Sequence, residues 1–190
     1  MTVASRSSRR FGISKRSTAS ETPASRMPPK AHFDLTTLEA GRILADKEAI
    51  RKLLPQRFEM EQLDAIVHLD GAAQVVVGYK DVRHDEFWVP GHMPGYPLLP
   101  GVLMCEAAAQ LVSYFVMDQQ LMAGDFLGFG GLENVRFRSA VHPGSRLMLV
   151  GKMVRYNRRQ TTFNVQGFVG DTMVFEGDII GVPLQRKPEA

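Results

Sequence analysis

Apolar positions recur along this chain with two periods, and the switches between them mark its elements. Ala49, Ile50, Leu53 and Leu54 form one stripe of a short helix. Asp46 stands where an N-cap belongs, and Pro55 ends the run. Leu63 to Leu69 and Ala73 to Tyr79 read as strands, separated by Asp70-Gly71, a dipeptide suited to a hairpin turn. Residues 81–101 contain four prolines and three glycines and predict a loop. The run from Val102 to about Met122 is apolar on every side, which predicts a helix buried all round. Strand signals follow at Phe126 to Phe137, Arg146 to Tyr156 and Thr161 to Val182, the last broken by Gly170-Asp171. An α+β domain in which an antiparallel sheet wraps a long central helix satisfies that burial, and this is the hot-dog architecture. No internal repeat or second domain is visible, so residues 33–190 read as one domain.

Charge is distributed unevenly. Residues 1–30 hold seven Lys/Arg and one acid, Glu21, so the basic balance of the whole chain belongs to its N-terminus; the remaining residues carry a net charge of −3. Residues 1–32 are Ser/Arg-rich and without periodicity, and are expected to be a disordered tail. An unstructured extension, a true start at Met27 and an organellar transit peptide are the alternatives there. The expected compartment is accordingly the cytoplasm, or an organellar matrix if the tail is a transit peptide. There is no basic helix or aromatic platform for nucleic acid, and the longest apolar run, around Leu111 to Met117, falls short of the ~20 residues of a membrane span. The single cysteine, Cys105, excludes an internal disulfide framework and reads as a core thiol.

The chemistry concentrates at residues 89–110, VPGHMPGYPLLPGVLMCEAAAQ. Glu106 is the only charged side chain between His92 and Asp118, and it lies within the apolar helix. Burying a carboxylate without a partner costs several kcal/mol. Gln110 follows at i+4 on the same face, and Ser113 continues the stripe. Pro100-Gly101 opens the helix, leaving the amides of Gly101 and Val102 as unsatisfied donors at the positive end of the macrodipole. A neutral imidazole, a carboxyl group and an oxyanion site together suit elimination of water β to a carbonyl.

Residues 91–110, GHMPGYPLLPGVLMCEAAAQ, resemble the pattern GHFPGxPxxPGVLxxEAxAQ of the FabZ-type 3-hydroxyacyl-[acyl-carrier-protein] dehydratases, departing only at Met93, where the family has Phe. The likeness extends over residues 46–182, through DKEAIRKLLPQR and ENVRFRSAVHPGSRLMLVGKMVR. The sister FabA type carries Asp at the position of Glu106. The resemblance implies a hydro-lyase of fatty acid biosynthesis that needs no cofactor and no metal. It gives His92 the α-proton and Glu106 the leaving β-hydroxyl, with a water steadied by Gln110. It also implies that the Gly101 N–H binds the thioester carbonyl and that the Leu98 carbonyl fixes the His92 tautomer. It implies a homodimer, with His92 and Glu106 of one site on different subunits, and trimers of dimers also occur. The partner would be an acyl carrier protein, with Arg136, Arg138, Arg155, Arg158 and Arg159 as candidate contacts. The chain departs from LPHRYPFLLVD at Gln56, Glu59, Glu61 and Gln62, which bears on acyl length and carrier.

Other readings are weaker. A hot-dog acyl-CoA hydratase or thioesterase, and a non-catalytic acyl-thioester binder, remain alternatives. His84, Asp85 and Glu86 with His92 lack the second-shell pattern of a metal site. Gly128, Gly130 and Gly131 are not a phosphate loop, because Glu133 falls where its third glycine belongs.

Overall fold

The computed structural model describes residues 29–186, and the expected Ser/Arg-rich tail lies almost wholly outside the described residues. Lys30 and His32 are already tied to β5: the His32 N–H donates to Gln166 Oε1 at 2.9 Å and Gln166 Nε2 to the Lys30 carbonyl at 3.1 Å. Packing therefore starts before Phe33.

Helix α1 spans Lys47–Leu53, and Asp46 caps it by accepting the Ala49 N–H. Strands β1 (Ala65–Asp70) and β2 (Val75–Asp81) form the hairpin. Their turn is wider than a two-residue Asp-Gly connection: residues 71–74 form it, and Asp70 Oδ1 accepts the Ala73 N–H. Helix α2 runs Gly101–Asp118, one turn shorter than its apolar run. Strands β3 (Phe126–Phe137), β4 (Arg146–Asn157), β5 (Gln160–Val169) and β6 (Thr172–Leu184) complete the chain. The six strands pair antiparallel in the order β1-β2-β4-β5-β6-β3, which leaves β3 as an edge.

The sheet curls around α2, thirteen of whose eighteen residues are buried. By length and composition α2 matches a membrane span, yet the sheet supplies its apolar surroundings. Leu111 nests over Gly78 of β2 and Gly151 of β4, and Phe115 meets Phe163 of β5 edge to face with centroids 5.4 Å apart. A Cβ on Gly78 would lie 2.6 Å from the Ala65 carbonyl oxygen and 2.9 Å from Leu111 Cδ1. Only a glycine lets helix and sheet approach this closely there.

The outer face of the sheet is apolar too. Val75, Val77, Val150, Phe168 and Met173 form a second cluster, covered by Phe33, Leu35 and Leu38 from the segment preceding α1. That cover buries β2 on both faces and removes the polar alternation of a one-sided strand.

Because the atom that crowds Gly78 is partly backbone, Gly78→Val is expected to destabilise the fold by about 1–3 kcal/mol or more, measured by urea unfolding. An unchanged midpoint would mean that α2 does not rest on β2 in this way.

Candidate active site

The loop between β2 and α2 has no regular structure, so backbone hydrogen bonds hold its shape. The N–H groups of Gly91 and His92 both donate to the Trp88 carbonyl, at 3.1 and 2.8 Å. The Leu98 N–H donates to the His92 carbonyl at 3.0 Å. His92 Nδ1 in turn lies 2.9 Å from the Leu98 carbonyl oxygen. A carbonyl only accepts, so Nδ1 carries the proton and Nε2 is left as the basic nitrogen. Two further bonds dock this stretch beside β3: Leu99 N–H to the Val141 carbonyl at 2.7 Å, and His142 Nδ1 to the Pro97 carbonyl at 2.9 Å.

His92 is half-buried in a cleft of about 630 Å³, which Leu98, Gly101, Met104, Phe137 and Arg138 also line. Pro100 caps α2 without a side-chain hydrogen bond. The first-turn amides thus keep the positive end of the helix free of a capping acceptor. Gly101 has a packing reason beside any ligand-binding one: a Cβ there would lie 2.7 Å from the Phe137 ring.

Glu106 is half-buried, and it has a partner. Gln110 Nε2 donates to Glu106 Oε1 at 2.7 Å and to the Met60 carbonyl at 2.6 Å, while Gln110 Oε1 accepts the Gln62 N–H at 2.9 Å. Both amide hydrogens of Gln110 are therefore committed to protein acceptors. Gln110 thereby ties Glu106 to the backbone of residues 60–62. Sequence reasoning saw the i+4 spacing but not this tether, because its partners at residues 60 and 62 are backbone groups that carry no side-chain signal.

Within one chain His92 and Glu106 do not line one cavity. Glu106 lines a separate space of about 50 Å³ with Gln56, Ser113, Leu127 and Phe129. Gln56 Oε1 is buried there without a hydrogen-bond partner among the described residues.

The five arginines also divide. Arg138 lines the His92 cleft and pairs with Glu176, which Arg136 reaches at 3.6 Å. Arg155, Arg158 and Arg159 lie at the β4–β5 turn, which the register puts at the opposite end of the sheet from the cleft. Arg155 is nine residues along β4 from Arg146, on the order of 30 Å at strand rise. One chain cannot present all five to one partner patch at the cleft. The His84-Asp85-Glu86 run splits as well: Asp85 stands 3.6 Å from Arg83 at the surface, and Glu86 turns inward to Lys80.

Residues 54–178 match the family model described as a FabA-like domain. The 3-hydroxyacyl-[acyl-carrier-protein] dehydratase FabZ of Lawsonia intracellularis is 35% identical over 144 residues, covering 74% of this chain and 93% of that protein. The FabZ of Desulforamulus reducens is 31% identical over 137 residues, covering 72% and 96%. Among solved structures, the dehydratase heterocomplex ApeI:P from Xenorhabdus doucetiae shares the fold, with a TM-score of 0.60 at 17% identity over 70% of this chain and 90% of that one. The chain belongs to the FabA-like family and, within it, to the FabZ-type 3-hydroxyacyl-[acyl-carrier-protein] dehydratases.

Cys105 neighbours Glu106 but faces the core, and burial pushes its thiol up to about 11. The thiolate forms only as pH rises towards that value, so at pH 8 the thiol stays protonated. Native protein at pH 8 is expected to resist a thiol-disulfide reagent that titrates one equivalent after unfolding. Fast labelling of native protein would contradict the packing of α2.

Proposed function

We propose that this chain dehydrates (3R)-3-hydroxyacyl-acyl-carrier-protein to the trans-2-enoyl thioester in fatty acid biosynthesis, with His92 as base and Glu106 as acid. The observation that carries this reading is the state of His92: its Nδ1–H is spent on the Leu98 carbonyl, and the basic Nε2 belongs to a residue lining a cleft at the start of α2.

In the proposed reaction, Nε2 removes the α-proton of the thioester. Charge that gathers on the carbonyl oxygen is met by the Gly101 N–H at the positive end of α2. The electrons of the broken C–H bond form the double bond as the β C–O bond breaks, and Glu106 delivers a proton to the departing hydroxyl, which leaves as water. His92 ends with one proton more and Glu106 with one fewer, and exchange with water restores both. Proton transfers alone balance the cycle, and its reverse is hydration.

Two chains are needed in this reading. The separation of the His92 and Glu106 cavities supports it, as does the β3 edge, which keeps Phe129 and Phe137 about half exposed. A long apolar edge strand seeks a partner. In a homodimer formed along β3, His92 of one subunit faces Glu106 of the other, and trimers of such dimers extend the assembly. The acidic acyl carrier protein docks at Arg136 and Arg138 beside the cleft, and the reaction belongs to the cytoplasm.

Incubation with 3-hydroxyacyl- and crotonyl-carrier-protein thioesters is expected to show reversible interconversion. His92→Ala and Glu106→Ala should each lower kcat by ~10²-fold or more. Normal turnover in either variant overturns the assignment.

A further inference from the structure

Among the described residues, the fully buried charges lie away from the reacting groups. Lys80 Nζ and Glu86 Oε2 meet at 2.8 Å with side chains 1% and 5% exposed. Glu86 also accepts from two other groups. Its Oε1 takes the Arg83 N–H at 2.9 Å, and its Oε2 takes the indole N–H of Trp88 at 3.0 Å. The Val89 N–H donates to the Glu86 carbonyl at 3.0 Å, closing the backbone turn that carries Trp88. Trp88 itself is buried, and its carbonyl is the acceptor for both Gly91 and His92. An unbroken chain of hydrogen bonds and backbone thus runs from the end of β2 to the backbone of His92.

A buried ion pair is poor value as a source of stability, because desolvation offsets the attraction and an apolar pair of similar volume often does as well. Its three directed contacts offer what an apolar pair lacks: they fix where the indole, and hence the Trp88 carbonyl, must lie. We propose that Lys80, Glu86 and Trp88 are positioning residues for His92, holding the imidazole against the Leu98 carbonyl so that Nε2 stays at one place in the cleft. The proposal rests on the reading of His92 as the base. Misplacement of a reacting group by about 1 Å can cost ~10²-fold in rate, so the network bears on turnover without touching substrate.

Two variants test it. Lys80→Met with Glu86→Gln removes both charges together, and the new amide presents only one acceptor oxygen to the two N–H groups of Arg83 and Trp88. Trp88→Phe deletes the indole N–H and leaves the ion pair intact. Each is compared with the unaltered full-length protein by kcat and KM on a 3-hydroxybutyryl carrier-protein thioester. Each is also compared by the ¹⁵N tautomer signal of His92, assigned from its absence in His92→Ala. The expected result is kcat lowered about 10-fold with KM within about twofold, and a His92 signal that moves from a single Nδ1–H tautomer to a mixture. A folded variant that keeps the wild-type His92 signal overturns the proposal, whether or not kcat falls. If the double variant does not fold, Trp88→Phe decides alone. If the unaltered protein dehydrates nothing, the reading of function fails, while the His92 signal still tests the positioning.

Discussion

Helix α2 has no polar face to give to water, and that constraint shapes the molecule. Thirteen of its residues are buried, so the sheet must curl around it, and glycines 78 and 151 must yield space where Leu111 meets β2 and β4. A carboxyl group in such a helix needs a donor, because a buried polar group left unpaired is costly. Gln110, one turn on, gives Glu106 that donor. The amide has no freedom left, since its other hydrogen and its oxygen are engaged by the segment at residues 60–62. The backbone of residues 60–62 thereby fixes the amide that orients Glu106.

His92 is held by different means. The loop that carries His92 has no ladder of its own, and hydrogen bonds at Trp88, Leu98, Val141 and Pro97 set its course. Glu106 and His92 line different cavities of one chain, and the edge strand β3 beside them keeps large apolar side chains in solvent. The proposed pairing of two chains along that edge would account for both facts at once. The opposite, outer surface of the sheet is closed by Phe33, Leu35 and Leu38, so the chain's apolar surface is covered there and open at β3.

Much of this was legible in the residues. The period of the apolar positions marked both helices and all the strands, because an all-apolar run of that length has few other uses, and the His92 to Gln110 motif pointed to the chemistry. What escaped was whatever depends on long-range register. The outer cover escaped because Phe33, Leu35 and Leu38 sit in a short stretch without helical or strand period. The sequence does not show how the five arginines are distributed, and the β4–β5 register carries Arg155, Arg158 and Arg159 to the far end of the sheet from Arg138. Lys80 and Glu86 look in sequence like solvated charges, because only the fold shows that each is the other's buried partner.

The central claim is that one site takes its imidazole from one subunit and its carboxyl group from another. The most direct measurement is to co-express His92→Ala and Glu106→Ala chains with different tags, isolate the mixed dimer and assay it. Such a dimer contains one site with both groups intact and one with neither, so it should show about half the turnover of the unaltered dimer although each parent is inactive. A mixed dimer as inactive as its parents would contradict the account.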